Sequence, residues 1–166
     1  METKYVEMIC NLSEHIVGEI VHPEGFQVKH LRDAREDELY SCYYGAFQAG
    51  DAPFFFAQSE RERREFFDTL GYVDALTEPA SLILLKNDQL VGFTYVLPYG
   101  DGNRHISCMC IRPDFQSRGL GLFLLRLVMR TVAQGGLKSI TLGTGTCMRA
   151  YRLYSMNGFK EKETDL

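Results

Sequence analysis

Residues 111–121 constrain this chain more than any other stretch. Ile111 closes a β-rich run, Pro113 stops it, and Gln116-Ser117-Arg118-Gly119-Leu120-Gly121 leads into the apolar run Leu120 to Ala133. A strand, a glycine-bearing turn and a long helix therefore follow one another without a linker. The first N–H groups of a helix have no partner inside it and carry a partial positive charge. Glycines at 119 and 121 keep side chains off those groups. The arrangement is an anion cradle suited to a pyrophosphate, with the Arg118 guanidinium beside it. A plain strand-to-helix turn that uses glycine fits the same letters. Two better-known phosphate loops do not. Leu122-Phe123 follows Gly121 where a P-loop needs Lys-Ser/Thr, and Leu124 stands where a dinucleotide fingerprint needs its third glycine.

The rest of the chain alternates between two periods. Residues 1–25 are read as an N-terminal helical extension: Tyr5, Met8, Ile9, Leu12, Ile16 and Val17 recur at helical spacing over about Lys4 to Val17, and His22-Pro23-Glu24-Gly25 is a turn. The main domain is expected over 26–166. Strands are expected at Phe26 to Leu31, Ser81 to Lys86, Gln89 to Leu97, His105 to Arg112 and Ser139 to Leu142. A last one begins at Phe159. Asn87-Asp88 is a tight-turn pair between two of them. Helices are expected at Glu36 to Phe47, from the capping box Ser59-Glu60-Arg61-Glu62 to Leu70, at Leu120 to Ala133 and at Met148 to Met156. Strands and helices mixed in this way imply one α/β domain, a sheet covered by helices.

Composition removes whole function classes. The chain has 166 residues, a length at which one core suffices. Its net charge of −4 argues against a phosphate-tracking nucleic-acid binder. No run approaches the roughly 18 apolar residues of a membrane helix, and Met1-Glu2-Thr3-Lys4 does not open a secretory signal. Five cysteines in scattered positions make no disulfide framework, so a cytoplasmic location is expected. Cys108-x-Cys110 lacks the second ligand pair of a structural zinc site, and no metal is expected. A cysteine acyl intermediate lacks an activating base, because 105 and 108 fall on opposite faces of a regular strand. These thiols read as small packing residues.

Gln116-x-x-Gly119-x-Gly121 resembles the Q/R-x-x-G-x-G/A signature of the GCN5-related N-acetyltransferases. Ala150-x-x-Leu153-Tyr154-x-x-x-Gly158-Phe159 is similar to that family's C-terminal segment. The two motifs stand in the family's order, and the resemblance spans about residues 26–160. It implies a mixed, mostly antiparallel sheet of about six strands, splayed between strands 4 and 5 and flanked by helices. It also implies acetyl-CoA as co-substrate and an amine as acceptor. By the same resemblance, the loop amides of Arg118, Gly119, Leu120, Gly121 and Leu122 hold the cofactor's pyrophosphate, and Gln116 and Ser117 also belong to the cofactor site. Met109, Cys110 and Ile111 face its pantetheine arm and offer an oxyanion donor, and Tyr154 protonates the departing thiolate.

The family often carries a carboxylate base on the fourth or fifth strand; none stands here, which leaves His105 as the local candidate base, with Asp51 and Tyr72 behind it. A satisfied structural histidine at a strand end fits His105 equally well. Asp51 to Phe56 with Glu60 and Glu62 would make an acidic, aromatic entrance for a cationic amine, or simply a solvated loop and helix face. The family also has a further strand beyond the equivalent of Phe159. Either residues 1–25 or a neighbouring subunit pairs with that edge, the second giving a homodimer. Two other readings remain: a non-catalytic acyl-CoA-binding regulatory module on the same scaffold, and transfer of longer acyl groups through a tunnel widened at Gly143 and Gly145.

Overall fold

The computed structural model describes residues 2–163. Strands β1 (Tyr5–Asn11), β2 (Phe26–His30), β3 (Leu82–Lys86), β4 (Gln89–Pro98), β5 (Asn103–Ile111), β6 (Ser139–Gly145) and β7 (Lys160–Glu161) form one seven-stranded sheet in the order β2-β3-β4-β5-β6-β1-β7. All neighbours are antiparallel except β5 and β6. Helices α1 (Glu36–Gln48), α2 (Pro53–Ala57), α3 (Glu60–Asp68) and α4 (Tyr72–Ala75) cover one face. Helix α5 (Leu120–Gln134) covers the other, and α6 (Arg149–Ser155) packs at the open end of β5 and β6.

Each layer follows from its residues. On the first face Tyr43 of α1 lies 4.6 Å from Phe47, 5.1 Å from Phe67 and 6.2 Å from Phe55, ring centre to ring centre. Offset aromatic contacts of this kind add to what burial alone supplies. On the other face α5 buries Leu120, Phe123, Leu124, Leu125, Val128, Met129 and Val132. Their spacing makes one apolar stripe, and each such side chain contributes about 1.5–3 kcal/mol on burial. The capping box holds as expected: Ser59 Oγ accepts from Glu62 N–H, and Glu62 Oε1 accepts from Ser59 N–H. Asn87 and Asp88 adopt φ of 49° and 61°, the left-handed pair that turns β3 into β4.

The N-terminal helix is a correction. Residues 5–11 form β1, in register with the whole of β6 from Tyr5↔Gly145 to Asn11↔Ser139, and with β7 at Met8↔Glu161 and Ile9↔Lys160. Met8, Cys10 and Leu12, two apart, are the buried set. That alternation coexists in the sequence with the helical spacing, and the unpaired edge of β6 decides between them. The segment after Asn11 is a side-chain-capped turn, with Asn11 Oδ1 accepting from Ser13 N–H at 3.1 Å. It then crosses α5, where Arg126 donates to the Glu19 carbonyl at 2.9 Å. Of the two ways to complete the sheet, the chain itself supplies the missing strand. The β6 edge on which the homodimer expectation rested is thereby occupied.

Two short helices were not expected. Pro53 does not merely break α1; it occupies the first position of α2, where its missing N–H costs nothing. Helix α4 is a single turn.

Candidate active site

The site begins with a fault in the sheet. Parallel pairing between β5 and β6 covers only Asn103↔Ser139 to Ile106↔Leu142, and the strands diverge beyond it. A bulge causes this: Tyr95 pairs with Cys108 but Val96 pairs with Ile106, so Ser107 is an extra residue on β5. A bulge bends its strand and resets which face each side chain takes. Cys108 and Cys110 consequently pack with the aromatic layer under α1, while Ile106 packs with α5. His105 and Cys108 therefore share a face, contrary to the regular-strand expectation. Ser107 is pinned by its hydroxyl donating to the Leu70 carbonyl at 2.6 Å. Among the described residues, main-chain groups of 107–111 that look toward β6 have no strand partner, and such groups demand one.

At the far end of β5 the chain turns through Pro113–Phe115 into α5. Gln116 Nε2 donates to the Ile111 carbonyl at 2.9 Å and so fixes the turn to the strand end. Ser117 (φ 62°) and Gly119 (φ 80°) are left-handed, and Gly119 is the residue that opens α5. Its conformation is one that only glycine adopts without strain, and a Cβ there would meet no neighbour within 4 Å. Among the described residues, the main-chain N–H groups of Ser117 to Leu122 donate to no protein acceptor, whereas that of Phe123 donates to the Gly119 carbonyl at 3.0 Å. Arg118 bonds the Asp114 carbonyl at 3.0 Å, and its guanidinium lies 5.2 Å from the centre of the Phe115 ring.

Two cavities meet across the splay. The first, about 330 Å³, is walled by Met109, Cys110 and Ile111 on one side and by Gln116, Ser117, Gly119, Leu120 and Gly121 on another. The second, about 440 Å³, lies under the aromatic layer, against Tyr5, Tyr43, Phe47, Phe54, Phe66 and Leu70. Phe47, Met109, Met148, Ala150 and Tyr154 border both.

Tyr154 is 8% exposed and packs against Phe159, ring centres 5.8 Å apart and planes tilted. Burial, with the Cys108 and Cys110 thiols adding to it, pushes its hydroxyl well above the usual tyrosine range. The group is therefore protonated through the neutral range, and it makes no hydrogen bond to a described residue.

The other expected residues divide. Arg118 and Leu122 flank the first cavity without lining it. His105 lines neither cavity. Its Nδ1 is 2.7 Å from Thr141 Oγ1 and its ring stacks 5.1 Å from Tyr99. Burial lowers its pKa, partly offset by the charge of Glu7. Asp51 lines the first cavity, but its Oδ2 accepts from the Arg149 N–H at 2.9 Å and caps α6. Tyr72 packs on Tyr95. Glu60 and Glu62 stay in the exposed first turn of α3. Gly143 lines the second cavity; Gly145 is filled against Thr3 and Met148. Cys110 is buried with its Sγ 3.9 Å from Cys42 Sγ, and burial raises its pKa, as suits a packing thiol. Tyr5, Tyr43, Gln58 and Thr144 were not expected at the site. They come from β1, α1, the α2–α3 junction and β6, and no local motif joins them.

The model of the acetyltransferase (GNAT) family matches residues 32–159. The chain belongs to the GNAT family. Solved structures agree on the fold. A GCN5-related N-acetyltransferase from Sphaerobacter thermophilus superposes with a TM-score of 0.68 at 21% identity over 96% of this chain and 49% of that one. A PaiA N-acetyltransferase from Thermoplasma acidophilum, solved in complex with coenzyme A, gives 0.64 at 14% identity over 84% and 92%. A GCN5-related N-acetyltransferase from Kribbella flavida gives 0.58 at 16% identity over 98% and 55%. This GNAT chain thus spans about half the length of the Sphaerobacter and Kribbella chains. No curated protein sequence matches it. The mixed, mostly antiparallel sheet flanked by helices is the fold that the family resemblance implied.

Proposed function

We propose that this chain transfers an acetyl group from acetyl-CoA to a primary amine by direct attack in a ternary complex. The observation that carries the reading is the unpartnered row of N–H groups from Ser117 to Leu122 at the mouth of the first cavity. Donors converging at a helix N-terminus bind a diphosphate well. The residues present fit coenzyme A: glycines at 119 and 121 leave the main chain bare, and the open side of β5 offers main-chain partners to an amide-bearing arm. When bound, acetyl-CoA supplies a thioester activated for acyl transfer.

The remaining chemistry belongs to the protein. A main-chain N–H in Met109 to Ile111 stabilises charge on the thioester oxygen. The amine nitrogen attacks the thioester carbon, the carbon–sulfur bond breaks, and the Tyr154 hydroxyl gives its proton to the departing sulfur. Water returns a proton to Tyr154 and takes the one lost from nitrogen. His105, in its neutral form, would take part in deprotonation only through a water chain, since it lines neither cavity.

One observation favours a second reading, a non-catalytic acyl-CoA-binding module: no carboxylate or imidazole among the described lining residues is free to act as a base. Calorimetry with acetyl-CoA, followed by thiol release with an amine panel, tests both. Binding with turnover supports the transferase; binding without turnover on any amine supports the module; no binding removes both.

A further inference from the structure

The second cavity contains an unusual concentration of orphaned polar atoms. Five buried side-chain oxygens among the described residues have no hydrogen-bond partner: those of Glu7, Tyr43, Gln58, Tyr95 and Thr144. Tyr43 Oη, Gln58 Oε1 and Thr144 Oγ1 belong to residues lining this one cavity. Tyr43 is 1% exposed and Thr144 5%. Buried polar atoms are nearly always paired, and an unpaired set around one void takes its partner from a ligand or from water that a ligand displaces. The three have a common property. The Gln58 oxygen only accepts, and the two hydroxyls accept readily. What they lack is a multiple donor, and a primary amine is a compact one.

The walls say what the amine is attached to. Phe54, Phe66 and Leu70 are apolar and Tyr5 presents its ring beside Phe54, 5.9 Å away. No Asp, Glu, Lys or Arg lines the cavity among the described residues. Glu7 shares a face of β1 with Tyr5 and pairs with Gly143 in the sheet. Its Oε2 lies 3.7 Å from Lys162 Nζ, so this nearby carboxylate already has a cation. A second ammonium or a carboxylate on the substrate would therefore be buried without a counter-charge, which is costly.

We infer that the acceptor is a monoamine with an apolar, ring-sized body, its nitrogen held by Gln58, Thr144 and Tyr43 beside Tyr154. The inference rests on the acetyl-transfer reading and names the substrate class of that same site. The test compares 2-phenylethylamine, phenylalanine and spermidine as acceptors, with acetyl-CoA saturating. Expected is a kcat/KM for 2-phenylethylamine at least about 100-fold above the other two, because each of those buries an unpaired charge. In Thr144→Val and Gln58→Leu, KM for 2-phenylethylamine rises about 10-fold with kcat within about 3-fold. The acetyl-CoA affinity and melting temperature serve as folding controls and stay unchanged. Equal or better turnover of spermidine or phenylalanine overturns the inference, as does an unchanged KM in both variants. If no amine turns over, calorimetry of the three amines on the coenzyme-A complex decides. Selective binding of 2-phenylethylamine keeps the substrate class and removes the transfer reading; no selective binding removes the substrate class.

Discussion

The two cavities that meet at Tyr154 are made from different material. The first owes its donors to main chain: facing Met109 to Ile111, the segment Ser117 to Leu122 turns through two left-handed residues and presents bare N–H groups. The second is side chain: Tyr5, Tyr43, Phe54, Gln58, Phe66 and Thr144 reach it from six separate places in the sequence. A main-chain site depends on a few conformational requirements and tolerates most side chains. A side-chain site depends on identity at every position and is free to change its ligand while the fold stays the same. The contrast accounts for a glycine loop readable in eleven residues beside a second cavity with no motif.

Changing Tyr154, one of the five residues that border both cavities, should have the largest effect. Tyr154→Phe is expected to lower kcat by about 100-fold or more, the scale of a lost general acid, while acetyl-CoA affinity measured by calorimetry stays within about 2-fold. Since burial raises the pKa of this hydroxyl, the wild-type rate should show no loss from Tyr154 ionisation up to about pH 9, below even an unperturbed tyrosine.

A change confined to the main-chain half comes next. Gly119→Asp puts a Cβ at φ 80° and a negative charge at the helix N-terminus. Acetyl-CoA Kd should rise about 10-fold or more from strain and repulsion together. Amine selectivity among the acceptors that still react should be unaltered. A shift in selectivity would break the division between the halves.

Smaller again is Asp51→Ala, which removes the carboxylate capping α6 through Arg149. A lost cap costs about 1 kcal/mol of stability, readable as a lower denaturant midpoint. The smallest effect is expected at His105. With no place in either cavity, His105→Asn should change kcat/KM by less than about 3-fold, a bound far below the loss of a general base. Its folded pKa is depressed by burial. The unfolded state thus binds the proton more readily, and stability falls as pH drops below about 6.5. The Asn variant should show a shallower loss in that window, measured by urea unfolding at pH 5 and pH 7.5.

What the sequence made legible follows the same division. The strand–turn–helix at Ile111 to Gly121, the capping box at Ser59 and the Asn87-Asp88 turn are local, and each is written in consecutive residues. The bulge at Ser107 is not: it arises from pairing Tyr95 and Val96 with Cys108 and Ile106, and it put His105 and Cys108 on one face. Residues 5–11 satisfied two periods at once, and the choice of strand was made by an edge on β6, over a hundred residues away. That same choice carries Tyr5 into the second cavity. Gln58 and Thr144 carry no local mark; only the absence of partners around their buried oxygens draws them out.

The most direct measurement is a titration of the isotopically labelled protein with coenzyme A, following backbone amide resonances. The account predicts saturable shifts largest for Ser117 to Leu122, with those of α3 little changed. Binding that leaves those amides unmoved, or no binding at millimolar coenzyme A, would contradict it.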